Sequence, residues 1–164
     1  MTIREINLDD GDRLFDFYLS LSDEVAMLYL PETPVTYSAI EVHLETIAQG
    51  TAIGLALVDA EDTIMGHAFL HRTDTRSPMV GIGLRDSVIG QGYGRRMMER
   101  LLEIADALGL RRTALCVVKG NVRAETLYLS LGYSRIGECS FRAQNDCWLM
   151  ERILPRRGKV RRDT

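Results

Sequence analysis

The sequence predicts an α/β domain built on a mixed sheet with helices on both faces. Two observations predict it. Apolar residues recur with strand patterning in seven short runs and with helical spacing in four others. Their order is β α α β β β α β α β β, so strands first run together and then alternate with helices. A length of 164 residues favours one domain with one sizeable core.

Thr2 to Leu8 reads as a strand, with Ile3, Ile6 and Leu8 as its apolar set. Asp9 or Asp10 is expected to cap a helix carrying Leu14, Phe15, Tyr18 and Leu19 at helical spacing. The Pro-containing stretch from Leu30 to Tyr37 breaks the pattern, and the whole of Leu21 to Tyr37 reads as a long connection. Ser38 is then expected to cap a helix with Ile40, Leu44 and Ile47 on one face, ending at Gly50. Ala52 to Val58 and Thr63 to His71 flank the acidic turn AEDT and read as a hairpin. Met79 to Leu84 is a third strand. Met97, Met98, Leu101, Leu102, Ala105 and Leu108 mark an amphipathic helix closed by Gly109. Thr113 to Val118 is nearly all apolar, as a strand buried on both faces should be. A last helix runs from about Val122 to Leu131 and stops at Gly132. Tyr133 to Phe141 and Cys147 to Leu154 close the sheet as a pair.

Composition narrows the class. Apolar residues are 46% and charged residues 26%, ordinary values for a globular protein. Ile53 to Val58 is the best apolar stretch, far short of the ~20 residues a membrane helix needs. The opening MTIREINLDD has no apolar secretory region, so a cytoplasmic location and no membrane partner are expected. Cys116, Cys139 and Cys147 are odd in number and lack CxxC spacing, which points to reduced packing residues and not to a disulfide framework. The net charge of −3 divides into +4 on the last ten residues and −7 on the body, a poor sign for nucleic-acid binding. Residues 1–154 are therefore read as one domain and residues 155–164 as a basic, disordered tail.

The most informative segment is Gly90-Gln91-Gly92-Tyr93-Gly94, between a strand and a helix. Glycines there allow positive φ and close approach of a ligand. The first amides of a helix lack internal partners and carry the positive end of its dipole. Together they make a phosphate cradle. Arg95 and Arg96 oppose the dipole, a local cost that a nearby anion would offset. A P-loop is excluded because neither lysine, Lys119 or Lys159, follows a suitable loop. A dinucleotide fingerprint is excluded because Met97 stands where its last glycine belongs and Arg111 to Val118 holds no acid.

Ile89-Gly90-Gln91-Gly92-Tyr93-Gly94 resembles motif A, [Q/R]-x-x-G-x-[G/A], of the GNAT superfamily of N-acetyltransferases. Asn121 to Tyr133 matches a second signature of that family, N-x-x-A-x-x-L-Y-x-x-x-G-[F/Y], after an apolar strand. The resemblance implies the GNAT fold, with a central mixed and mostly antiparallel sheet, and acetyl-CoA as co-substrate. It implies pyrophosphate on Gly90, Gln91, Gly92, Tyr93, Gly94 and Arg95, and pantetheine beside Ile82 and Leu84. Asn121 matches a helix cap that contacts the cofactor. Tyr128 matches the general acid for the leaving CoA thiolate. The implied reaction is direct attack by an amine, with the acceptor left open as a small molecule or peptide. Homodimers are common among such enzymes.

Two departures stand out. Ile89 occupies the usual Gln or Arg position, which is expected to weaken cofactor binding without abolishing it. Met79 stands where many relatives place a glutamate base, so the base passes to a bound water or to Asp74, Asp86 or Glu24. That loss also admits a second reading, a CoA-binding regulatory or interaction module with weak catalysis. Asp23, Glu24 and Glu32 read as solvated loop charges that could also draw in a cationic amine. His67 and His71 lie four apart on a strand and share a face. No cluster has metal-ligand spacing, and no metal is expected.

Overall fold

A computed structural model describes residues 1–29, 35–142 and 145–154. The basic tail and Glu32 lie outside the described residues. The strands are β1 (Thr2–Glu5), β2 (Ala52–Val58), β3 (Ile64–His71), β4 (Met79–Leu84), β5 (Arg112–Val118), β6 (Ser134–Arg142) and β7 (Asn145–Ile153). The helices are α1 (Gly11–Leu19), α2 (Asp23–Tyr29), α3 (Tyr37–Ala48), α4 (Tyr93–Ala107) and α5 (Val122–Ser130). The strands form one sheet in the order β1-β2-β3-β4-β5-β7-β6. All neighbours are antiparallel except β4 and β5, which share only the parallel pair Met79–Ala114. Past that pair the two strands part, and the gap between them positions the site.

Alternation along β2 shows why helices cover both faces. Leu55 and Leu57 point into a core with Met97, Met98, Leu101, Leu102 and Ala105 of α4 and Tyr128 of α5. Ala56 and Val58 point the other way, into a core with Leu14, Phe17 and Tyr18 of α1 and Ile40 and Leu44 of α3. The expected elements are present, and the mixed sheet with two covered faces is as the periodicities predict. Among the described residues no helix is long and apolar enough to cross a membrane.

Three local expectations are corrected. Neither Asp9 nor Asp10 caps α1 through its side chain. Asn7 caps a 3-10 turn at Leu8–Asp10, accepting from the Asp9 amide at 2.9 Å, and α1 follows directly. Thr36, not Ser38, caps α3, accepting from the Ala39 amide at 3.1 Å. Its backbone is still extended, and the helix begins at Tyr37, two residues earlier than a Ser38 cap would start it. The stretch read as a long connection contains α2, too short to show a clear period. Its start is held by Ser22, whose hydroxyl accepts from the Val25 amide at 3.3 Å.

Asp10 has a different task. It is fully buried and accepts from Arg4 at 2.8 and 2.7 Å, from Arg13 at 2.9 Å and from the Asn7 amide at 3.0 Å. Burial by itself would raise its pKa. Arg4, the Asn7 amide and Arg13 outweigh burial and hold the carboxyl below its ordinary value. Asp10→Ala leaves Arg4 with Asp62 as its remaining carboxylate, 2.9 Å away, and orphans the Asn7 amide, so a loss of about 2 kcal/mol is expected. Urea unfolding would check it as a lower midpoint at unchanged slope.

Candidate cofactor cleft and active site

Where β4 and β5 part, a cleft of about 870 Å³ opens. Ile82, Gly83 and Leu84 form one wall, Cys116 and Val117 the other. Ile89, Gly90, Gly92, Gly94 and Arg95 line one end, and α2 adds Glu24, Val25, Met27 and Leu28. Asn121 and Tyr128 also line it. Eight of the ten site residues expected from the sequence thus surround one space. Gln91 and Tyr93 do not line it. The Gln91 side-chain amide donates to the Ser87 carbonyl at 2.8 Å, and the Tyr93 ring packs on the core with Arg96 over it at 5.6 Å.

The turn is built as a cradle. Gly90 and Gly92 have φ of +80° and +84°, where L side chains are strained. Apart from their chain neighbours, no atom of the described residues lies within 4 Å of where a Cβ would stand on either. Gly92 is the N-cap of α4 and offers no capping side chain, so the first amides of that helix are left without a side-chain partner. α5 contrasts with it: the Asn121 side chain accepts from the Ala124 amide at 3.2 Å. Arg95 donates to the Ser130 hydroxyl at 2.7 Å, which fixes a cation at the same end. The chain therefore fits a pyrophosphate through an open space, orphan amides and a fixed cation.

Sequence reasoning missed Lys119 and Arg123, two further cations lining the cleft. Lys119 is held by Glu138 at 2.8 Å and by the Trp148 ring at 4.5 Å. Both bracket Asn121 in the second signature, the signal that could have found them.

Tyr128 is 8% exposed, and its ring stands edge-on to Tyr133 at 6.0 Å. Its hydroxyl makes no hydrogen bond among the described residues, whereas the Tyr133 hydroxyl bonds Thr113 at 2.7 Å. A buried hydroxyl normally has a partner. Burial, and then Tyr133, push the Tyr128 pKa well above the usual phenol value, so the group stays a proton donor at neutral pH.

The carboxylates separate. Glu24 lines the cleft. Asp86 is bound by the Ser22 hydroxyl at 2.9 Å, and Asp74 is exposed in the turn after β3, away from the cleft. Met79 sits half-buried between Ala114 and His71. Cys116, Cys139 and Cys147 form no disulfide among the described residues. Cys139 and Cys147 oppose each other on β6 and β7, and Cys116 lines the cleft, a convergence their spacing did not reveal.

His67 and His71 do share a face, and His43 of α3 joins them. The Tyr18 hydroxyl lies 2.8 Å from His67 Nδ1, His67 Nε2 lies 3.2 Å from His43 Nε2, and His43 Nδ1 lies 2.9 Å from His71 Nε2. Burial lowers all three imidazole pKa values, that of His43 to about 4 with help from His71. All are neutral in folded and unfolded chains above about pH 6.5, so their stabilising contacts are fully present there. As pH falls below 6.5 the unfolded chain gains protons first, and stability drops until the folded-state pKa values are reached. For His43 alone that amounts to about 3 kcal/mol by pH 4. Thermal unfolding across pH 7 to 4 is expected to show this fall, and His43→Gln to make it shallower by the His43 share while His67 and His71 keep theirs.

Comparison with known proteins agrees with this geometry. A family model described as an acetyltransferase (GNAT) domain matches residues 1–134. A search of curated protein sequences found no match. Solved structures similar to this chain include a ribosomal-protein-S5-alanine acetyltransferase from Vibrio fischeri. It has 20% identity and a TM-score of 0.77, covering 92% of this chain and 91% of that one. A GNAT-family acetyltransferase from Streptococcus pneumoniae has 22% identity and a TM-score of 0.77, covering 93% and 99%. Spermidine N-acetyltransferase from Vibrio cholerae, in complex with CoA and spermine, has 20% identity and a TM-score of 0.76, covering 93% and 94%. At these identities the likeness concerns the fold. The family match spans more than half of the chain, and the chain belongs to the GNAT family of acetyl-CoA-dependent acyltransferases.

Proposed function

We propose that this chain transfers an acetyl group from acetyl-CoA to a primary amine by direct attack, with Tyr128 as general acid. The reading rests above all on one observation: an unpartnered, protonated Tyr128 hydroxyl lines the same cleft as the uncapped glycine turn. In this reading the turn from Gly90 to Arg95, Gln91 and Tyr93 included, holds pyrophosphate through backbone amides. Arg95, Lys119 and Arg123 add positive charge. The free edge of β4 at Ile82 and Leu84 takes pantetheine, and Asn121 holds the turn before α5 in contact with it. Bound acetyl-CoA supplies the activated thioester. Tyr128 gives its proton to the sulfur as the thiolate leaves. Glu24, the carboxylate lining the cleft among the described residues, favours a cationic amine at the α2 side.

Met79 at the usual base position favours a second reading, a CoA-binding module with weak catalysis. The two separate on turnover: the module reading requires that wild type and Tyr128→Phe consume acetyl-CoA at the same slow rate across an amine panel.

Thermal unfolding with acetyl-CoA, and with ATP and NAD as controls, tests the cofactor. A ligand at a hundred times its Kd stabilises by about 2.7 kcal/mol. That is a rise of roughly 5–10 °C for a chain of this size. A rise with acetyl-CoA alone is expected. No rise would remove both readings.

A further inference from the structure

Glu24, Met27 and Leu28 of α2 all line the cleft, and their spacing of three and four residues puts them on one face of the helix. We propose that this face selects the acceptor, and that the acceptor is a small primary monoamine on an apolar chain, not a polyamine. The proposal rests on the acetyl-transfer reading and deepens it by naming the substrate class.

The first support is placement. Val25 and Ala26 pack against the core that holds Leu14, Phe17 and Ile40, so α2 covers the α1 side of the sheet. The start of α2 is pinned by Ser22, whose hydroxyl donates at 2.9 Å to Asp86 in the turn that follows β4. Ile82, Leu84, Leu115 and Val117 pack toward the opposite core, with α4 and α5. Gly83 and Cys116 alternate with them along β4 and β5 and therefore face the α2 side, where both line the cleft. The floor on that side is a bare backbone and a small thiol, which leaves space for an occupant against the helix.

The second support is chemistry. Met27 is 61% and Leu28 39% exposed, although both line the cleft. A single exposed apolar residue is ordinary. Here two stand side by side on a helix face that the core does not use, because Val25 and Ala26 already dock α2. An apolar chain laid over them removes that surface from water. Glu24 lies about one turn before them, about 4.5–6 Å along the helix axis. It is the one carboxylate lining the cleft among the described residues, and the other lining charges are the cations Arg95, Lys119 and Arg123. The arrangement matches one ammonium joined to an apolar chain several carbons long.

Both ends of the acceptor then have a reason. A second ammonium at the far end of the chain would lie against Met27 and Leu28 and lose water there without gaining a counter-charge. Acetylation turns the first ammonium into a neutral amide. The product keeps its contact with Met27 and Leu28 but loses its attraction to Glu24, which favours release.

The test uses the full chain with saturating acetyl-CoA and four amines: n-propylamine, n-hexylamine, hexamethylenediamine and spermidine. The two monoamines have nearly the same basicity, so their difference reads the burial of three methylenes. A fully buried methylene is worth about fourfold, and on this partly open face n-hexylamine is expected to exceed n-propylamine in kcat/KM by about tenfold or more. Hexamethylenediamine keeps the length and adds the second ammonium, and it is expected to fall about tenfold below n-hexylamine. Leu28 is exposed and α2 is held elsewhere, so Leu28→Asp should unfold at the wild-type temperature. It is expected to reverse the order and put the diamine above n-hexylamine, a change of selectivity that a structural role would not produce. Equal kcat/KM for the two monoamines, a wild-type preference for the diamine or spermidine, or an unchanged order in Leu28→Asp would overturn the proposal and leave acetyl transfer standing. So would a leucine-led peptide acetylated faster than n-hexylamine. A wild-type protein that acetylates none of these amines and no peptide would instead overturn the acetyl-transfer reading, and the acceptor class with it.

Discussion

Gly92→Val is expected to abolish the thermal shift given by acetyl-CoA while leaving the protein folded. The backbone there has φ of +84°, and a β-branched residue in that region costs about 1–2 kcal/mol. That loss is a few degrees for a chain of this size. Apart from the chain neighbours, no atom of the described residues lies within 4 Å of the new Cβ, so they offer no clash. The added side chain instead enters the space in front of the first amides of α4, where a pyrophosphate would have to approach. Affinity should fall at least about a hundredfold, beyond 2.7 kcal/mol, and the shift should vanish at any practical concentration. Gly94 differs. A Cβ there would rest 3.6 Å from Leu84 and 3.7 Å from Leu127, ordinary contact, so Gly94→Ala should bind acetyl-CoA. The larger Gly94→Val should press on both cleft-lining leucines and weaken binding. Calorimetric titration of the three variants checks the order. Wild-type affinity in Gly92→Val would take the pyrophosphate away from this turn.

Tyr128→Phe should lower kcat by about two to four powers of ten at unchanged affinity for acetyl-CoA. The hydroxyl bonds no described residue, so its loss leaves no orphaned partner, and the Tyr133 ring keeps its edge contact. Stability should therefore stay near wild type or rise slightly. The rate effect arises only when the thiolate departs, which is why it belongs to kcat and not to binding. Because the Tyr128 pKa is raised, its donor is present below the folded-state value and is lost only above it. Wild-type turnover should thus show no fall from Tyr128 ionisation up to about pH 10, the usual phenol value. Equal rates in wild type and Tyr128→Phe would return the ring to a packing role.

Much of this was legible in the chain because the signals are local. Gly109 and Gly132, both at positive φ, follow α4 and α5 as expected, and the apolar period of α4 matches the side chains buried against the sheet. The two signatures were legible because one set of turn residues serves both backbone shape and ligand approach. The caps at Asn7 and Thr36 were misplaced by a few residues. Asp, Asn, Ser and Thr near a helix start all have capping chemistry, and only the surrounding contacts choose among them. Asp10 shows the choice: Arg4 and Arg13 claim its carboxylate, and Asn7 takes over the cap. α2 was missed because seven residues give under two full turns of a period to read.

By itself the sequence determined the order of elements, the mixed sheet, the glycine turn and the family resemblance, all of which depend on spacing along a few residues. Tertiary structure alone decided what meets across long separations. The β4–β5 gap joins Ile82, Cys116 and Tyr128 around one cleft, and α3 brings His43 to His67 across 24 residues. The single parallel pair at Met79 and Ala114 is the physical reason for the cleft: beyond it the strands share no hydrogen bonds, and their edges face open space.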